Sequence, residues 1–389
     1  MNKTKLILLF SILCLFIAVP ASFAADNDTA IIEGDVPIAD YYFDANIEND
    51  TGDGSILNPY KTLTSARIHD NSNIHLADGE YKLDRISYVN KVNILGSNPE
   101  KTIVSFNGKG FDLEGPFTLT NVTLVFLSVD AGGENLTATN TIFRNFYSSS
   151  SLAPVMGNGG NVDINNCTFK DNSADNGGAI YMNGGKLSIT DSLFVNNKAK
   201  KYGGAISCEN EAHAEIYNSR FESNTANEEA GGAIYLLEST LITKNVEINN
   251  CQAPFGGAIT SLKSEINLTG FKSKNNRAKY YGGSVYSLYH TFIIANSVLV
   301  NNSAFWGGAL FADCVESFHI HDNYFANNTA DIGSAVYSRV SDFYYDSIYD
   351  KKLNNSFDNN NVFESDTLNI TFVNDDYLMI KLNSTDTSD

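Results

Sequence analysis

The stretch Phe194-Val195-Asn196-Asn197-Lys198-Ala199-Lys200-Lys201-Tyr202-Gly203-Gly204-Ala205-Ile206 decides the fold. It joins two short motifs, Phe-x-x-Asn and Gly-Gly-Ala-Ile. With small variations the second starts at Gly177, Gly203, Gly231, Gly256, Gly282, Gly307 and, as Gly-Ser-Ala-Val, at Gly333. The intervals are 26, 28, 25, 26, 25 and 26 residues. Self-similarity at such a period marks a repeat architecture. The first motif keeps phase with it, in Phe169 to Asn172, Phe194 to Asn197, Phe221 to Asn224 and Phe325 to Asn328, with Leu299 replacing Phe ahead of Asn302.

Working outward, an alternating run precedes each Phe: Val162-Asp163-Ile164, Leu187-Ser188-Ile189, Glu215-Ile216-Tyr217, Phe292-Ile293-Ile294 and Phe318-His319-Ile320. Alternation over three to five residues means strands. An Ala follows each ladder Asn by two residues (Ala174, Ala199, Ala226, Ala304, Ala330). Three short strands in about 26 residues, with no helical period, suit one turn of a solenoid. The expectation is an all-β, right-handed, single-stranded parallel β-helix of about twelve coils.

In such a stack, equivalent residues form columns. Ile180, Ile206, Ile234, Ile259, Val285, Leu310 and Val336 would point inward and make a continuous apolar core. The pairs Gly177-Gly178, Gly203-Gly204, Gly231-Gly232, Gly256-Gly257, Gly282-Gly283 and Gly307-Gly308, with Gly333, would form sharp corners, because glycine enters φ > 0 freely. Asn172, Asn197, Asn224, Asn250, Asn276, Asn302 and Asn328 would stack as a hydrogen-bonded ladder rather than form a binding site.

The ends are less regular. Lys3 and Lys5, the apolar run Leu6 to Val19, and Ser22-Phe23-Ala24 describe a secretory signal over residues 1–24. Residues 25–55 look like an acidic linker. A β-helix is expected over 56–375, with a cap and first coils over 56–110 and regular coils over 160–340. A short capping helix is predicted within Tyr60 to Ile68, and a polar tail over 376–389.

The balance of 26 basic against 45 acidic residues gives a net charge of −19. That argues against nucleic acid and anionic lipid as partners. Cys167, Cys208, Cys251 and Cys314 lie at different phases of the repeat, with no CxxC. They are expected to be mainly buried free thiols, with a single bridge left open.

The pairing of the two motifs resembles the repeat of chlamydial polymorphic outer-membrane proteins. Together with Tyr42-Phe43-Asp44 and Leu57-Asn58-Pro59-Tyr60-Lys61-Thr62, it is closer still to adhesin-like proteins of methanogenic archaea, of the pectate-lyase-like β-helix superfamily. The resemblance covers roughly residues 40–375. It implies a secreted or cell-surface protein that mediates attachment to cells, wall or glycans. The expected partners are cell-surface or wall glycans or proteins, with no nucleic acid, no membrane span in the mature chain and a monomeric state. The alternatives are a polysaccharide lyase or glycoside hydrolase of the same fold, and a passive wall protein.

Catalysis finds little support in the residues. Arg144, Arg220, Arg277 and Arg339 are scattered, and the chain has no Gly-x-Ser-x-Gly elbow. His319-Ile320-His321-Asp322 is the best metal candidate, but a solvated pair is preferred. Asp342, Asp346 and Asp350, beside Tyr344, Tyr345 and Tyr349, form an acidic aromatic segment for which a solvated loop is preferred. No catalytic residue, cofactor or metal is therefore expected.

Two aromatic columns carry the binding expectation. One immediately precedes Gly-Gly (Tyr202, Phe255, Tyr281, Trp306), and the other follows Gly-Gly-Ala-Ile (Tyr181, Tyr235, Tyr286, Phe311, Tyr337). An exposed aromatic edge would contact sugars or proteins; stacking between coils is the competing reading. Asn-x-Ser/Thr sequons are dense, and those beside the ladder, such as Asn327, are expected to be enclosed.

Overall fold

The computed structural model describes residues 37–148, 153–313, 317–339, 355–358, 360, 369–372 and 378–381. The signal segment, Cys314 and the Asp342 to Asp350 segment lie outside these residues. From Ile38 onward the chain forms one unit.

The unit is a parallel β-solenoid. One sheet stacks twelve parallel strands, from Ala39–Phe43 through Ser72–Leu76, Val92–Gly96 and onward to Ser317–His321. Its register keeps inward residues in columns, as in Leu187 to Ala214 to Leu241 and Ile189 to Ile216 to Thr243. The other wall is made by Phe strands, such as Thr168–Lys170, and Ile strands, such as Ile180–Asn183. Ile180, Ile206, Ile234, Ile259, Val285, Leu310 and Val336 run through consecutive registers and are fully buried.

Phe143, Phe169, Phe194 and Phe221 stack face to face, with ring centroids 4.5, 4.9 and 4.6 Å apart. That is the spacing of hydrogen-bonded strands, so ring stacking and backbone pairing reinforce one another. Each buried apolar side chain contributes about 1.5–3 kcal/mol. The column continues through Ile248, Ser273, Leu299 and Phe325.

The early coils explain the later ones. Thr123–Asp130 is one strand that pairs with the Phe-type strand Ile142–Arg144 at one end and the Ile-type strand Val155–Gly157 at the other. In later coils a short outer strand is inserted between the two. Ser173–Asn176, Lys198–Tyr202, Thr225–Ala226, Gln252–Phe255 and Arg277–Tyr281 stack as a third sheet.

The second glycine of each pair closes this excursion. A Cβ on Gly204 would stand 2.5 Å from Thr225 N and 2.1 Å from Gly232 O, and one on Gly257 would stand 2.7 Å from Arg277 N. The first glycine turns the chain, with φ of 63° at Gly203. The two glycines thus answer different demands: the left-handed region at the first, and closest backbone approach at the second.

Several expectations need correction at the ends. The predicted capping helix is a single 3-10 turn, Ser65–Arg67. Thr62 and Thr64 are β-branched, and Leu63 is drawn fully into the core. The expected linker is structured from Ala39 onward, because Ala39–Phe43 pairs with Ser72–Leu76 as the first strand of the long sheet. Past the solenoid, Asn369–Phe372 and Leu378–Lys381 form an antiparallel pair, so residues 378–381 are strand rather than polar tail.

Candidate binding surface

The ladder is built at the step from Phe strand to outer strand. Asn172 Nδ2 donates to Asn197 Oδ1 at 3.0 Å, and Asn197 Nδ2 to Asn224 Oδ1 at 3.0 Å. Asn276, Asn302, Asn328 and Asn360 continue it at 3.0–3.1 Å. Each amide also reaches back to a carbonyl of the preceding coil, as Asn197 Nδ2 does to Phe169 O at 3.0 Å. Asn172, Asn197, Asn224, Asn276, Asn302 and Asn328 are buried, with donors and acceptors engaged among themselves.

Asn250 is not a rung. It is exposed, with φ of 55°, and Cys251 takes its place in the ladder. The Cys251 backbone N–H donates to Asn276 Oδ1 at 2.9 Å. This coil lacks a clean Phe-x-x-Asn: Ile248 pairs with Phe221, three residues on from it stands Cys251, and Asn250 falls one residue short.

Many of the other αL corners are exposed Asn or Asp residues, among them Asn166, Asp191, Asn301 and Asn327, with φ of 50–56°. Asn301 and Asn327 are therefore accessible sequons rather than enclosed ones. Cys167, Cys208 and Cys251 are buried free thiols. Burial pushes Cys167 up to about 11 and Cys208 and Cys251 up to about 12.

The aromatic columns pack mostly on themselves. Tyr202 stacks on Tyr235 with centroids 4.4 Å apart. Tyr281 meets Phe311 at 4.7 Å and Trp306 at 5.4 Å, and Phe311 meets Tyr337 at 4.8 Å. Phe255 and Tyr286 join the same cluster at 5.6 Å. Tyr235, Phe311 and Tyr337 are 4%, 3% and 1% exposed, although alternation puts them on the outer face of their strands. The inserted outer strand explains this, because its returning limb covers that face.

Tyr181 stands apart from these stacks. Its hydroxyl donates to Glu209 Oε2 at 3.4 Å, and burial, then the nearby carboxylate, pushes it up to about 12. Burial also raises Tyr235 and Tyr286. Exposed aromatics stand elsewhere, among them Tyr280, Tyr289 and Phe305, at 39%, 49% and 48%.

Among the described residues, no group of three or more His, Cys, Asp or Glu side chains could hold a metal ion. His321 Nδ1 pairs with Asp322 Oδ2 at 2.8 Å.

A groove of about 680 Å³ crosses the outer sheet from coil to coil. One wall is the row Thr225, Gln252, Arg277, Ser303; the other is Asn227, Pro254, Lys279, Phe305, Asp331. Alternation turns both rows outward, while Ala226, Ala253 and Ala278 between them face the other way and are buried. Register extends the first row to Lys198, which pairs with Thr225. These groove residues occupy the variable positions on either side of the ladder-following Ala, so the repeat pattern carries no signal for them.

The Chlamydia polymorphic membrane protein repeat matches residues 166–183 and 191–209. The chain is 39% identical over 85 residues to the probable autotransporter YfaL of Escherichia coli, covering 20% of this chain and 7% of that protein. It is 34% identical over 137 residues to metabotropic glutamate receptor-like protein R of Dictyostelium discoideum, covering 34% of this chain and 8% of that protein. The chain thus spans less than a tenth of either relative. Among solved structures it is similar to pectate lyase Pel9A, at 15% identity and a TM-score of 0.35, over 69% of this chain and 80% of that one. A GH87 alpha-1,3-glucanase catalytic domain gives 12% identity and a TM-score of 0.37, over 69% of this chain and 63% of that one. The described chain is a parallel β-solenoid that carries repeats of the chlamydial polymorphic membrane protein kind.

Proposed function

We propose that this protein is a surface-displayed, adhesin-like solenoid of the kind found in methanogenic archaea, exported through the signal at residues 1–24. It attaches to cell, wall or glycan partners rather than transforming them. One observation carries this reading. The repeat motifs that match a family of surface proteins are consumed in holding coil to coil: the glycines in backbone contact, the Asn in the ladder, the Phe in the stack. The outward positions of each coil are left to vary and to be displayed. The autotransporter likeness over 85 residues supports the same reading.

Surface labelling of intact cells with an antibody against the solenoid, together with retention of coated beads on cells and immobilised glycans, tests it. Signal only after lysis, or beads that bind nothing, would sink it. Release of reducing ends or unsaturated products from polysaccharides would replace it with the enzymatic reading.

A further inference from the structure

We infer that the groove on the outer sheet is a binding site for a carboxylate-bearing linear polysaccharide lying across the coils. This deepens the attachment reading and rests on it.

The first observation is charge. On a chain with 45 acids and 26 bases, an exposed cation has acids to pair with. Elsewhere on the solenoid some pair from coil to coil, Lys186 with Glu215 at 3.1 Å, Lys263 with Glu238 at 3.1 Å and Lys272 with Glu247 at 2.8 Å, while Lys82, Lys91, Lys244 and Lys274 are exposed and scattered singly. Along the outer sheet, Lys198, Lys200, Arg277 and Lys279 are exposed, and among the described residues none of them makes an ion pair. The acids of this surface are Asp175, Glu228, Glu229 and Asp331, with Lys201 a further cation, so the surface is close to neutral on a molecule of net charge −19.

The second observation is position. Lys198 and Lys200 share one outward face, as do Arg277 and Lys279. Register runs from Lys198 through Thr225 and Gln252 to Arg277. The two cation pairs are therefore three coils apart, about 14–15 Å at the spacing of parallel strands. Between and beyond them the groove offers the Asn227 and Gln252 amides, with Pro254 and the half-exposed Phe305 ring as apolar surface. Amides suit sugar hydroxyls, and an aromatic face suits the apolar face of a sugar ring. A linear polymer that presents carboxylates at intervals could engage both cation pairs at once. A compact anion could reach only one.

The test compares polygalacturonate with its fully methyl-esterified form, which keeps the backbone and removes the charge. The purified full chain should bind the acidic polymer, more weakly as salt rises, and bind the ester at least tenfold less. The double variants Lys198→Gln/Lys200→Gln and Arg277→Gln/Lys279→Gln should each weaken binding about tenfold. Lys263→Gln, which removes a paired cation outside the groove, should leave it unchanged. All these residues are exposed, and matching circular dichroism and melting would establish that the variants are folded. Equal binding of acid and ester, or full binding by the Arg277→Gln/Lys279→Gln variant, would overturn the inference. Bead attachment to cells that persists while polygalacturonate is not bound would also overturn it, and would leave the attachment reading standing.

Discussion

The backbone N–H of Asn224 donates to Cys251 Sγ at 3.3 Å, at a rung where the coils above and below offer an amide oxygen. The side-chain amide of Asn224 reaches the same sulfur at 3.9 Å, against 3.0 Å for the Asn197 to Asn224 contact. A thiol is a weak acceptor and carries no amide to reach back to the preceding coil. Cys251→Asn should restore both contacts and raise stability by about 1 kcal/mol. Urea unfolding of the two chains measures this, and a lower midpoint for the variant would mean that the site has no room for the amide.

Asn197→Ala should act in the opposite direction and more strongly. It removes the acceptor of two buried donors, the backbone and side-chain N–H groups of Asn172. At about 1–3 kcal/mol for each buried donor left unpaired, the loss is about 3 kcal/mol or more. The exposed corner residue beside it is the control: Asn196 already has φ of 58°, so Asn196→Gly should change stability by less than about 0.5 kcal/mol.

The glycine pairs separate two kinds of constraint. Gly203→Ala meets the left-handed backbone and Ile206 O at 2.0 Å. Gly204→Ala has an ordinary φ but meets Gly232 O at 2.1 Å. Both should lower the unfolding midpoint severely, by about 3 kcal/mol or more, because neither contact is with a flexible side chain. At Gly133 a Cβ would find its nearest neighbour at 3.6 Å, so Gly133→Ala should be neutral or slightly stabilising. Equal losses at Gly204 and Gly133 would show that the coils can part to admit a methyl group.

The columns were legible in the sequence because each inward position repeats its chemistry: Ile after Gly-Gly-Ala, Phe before the ladder. The placement of Asn250 was not, since Ile248 stands where other coils have Phe, and only the register shows that the rung three residues on from it is Cys251. The outer strand was missed for a related reason. Its covered Ala repeats, but the side chains it displays, Lys198, Thr225, Gln252 and Arg277, share neither charge nor size. Alternation did put Tyr235 and Tyr337 on the outer face. Their burial follows from a limb of chain that returns over that face, a tertiary fact with no local signature. Within Tyr60 to Ile68, where a short capping helix is expected, only Ser65–Arg67 makes a helical turn, since Thr62 and Thr64 favour extended backbone.

Tyr286 and Phe311 show what the aromatic columns do for stability. Tyr286→Ser opens a cluster in which that ring touches Phe255, Tyr281 and Phe311 at 5.4–5.8 Å. A loss of about 2 kcal/mol is expected, below that of a fully buried aromatic. Tyr289→Ser, at a ring 49% exposed, should be close to neutral. Thermal melts of the two variants distinguish them, and binding of polygalacturonate should be unaffected in both once folded.

The first coil should be acid-labile through Asp50. Burial acts to raise its pKa, but hydrogen bonds from the Thr62 hydroxyl, the Arg67 guanidinium and the Lys61 backbone N–H hold it down at about 2. A carboxylate whose folded-state pKa lies below its unfolded value stabilises the fold above the unfolded pKa and loses that stabilisation as pH falls through the folded one. Protection of the amides of Lys61 and Arg67 against hydrogen exchange should therefore decline as pH drops from about 4 to about 2, once corrected for the intrinsic exchange rate. Asp50→Asn should remove that dependence and leave the segment less protected at neutral pH. The decline lies in that window because the Asp50 carboxylate accepts from Lys61, Thr62 and Arg67 together, on the two sides of the buried Leu63, and only the direct Arg67 to Thr62 contacts at 2.8 and 2.9 Å remain when it is protonated. An unchanged profile in Asp50→Asn would place the acid sensitivity in another carboxylate.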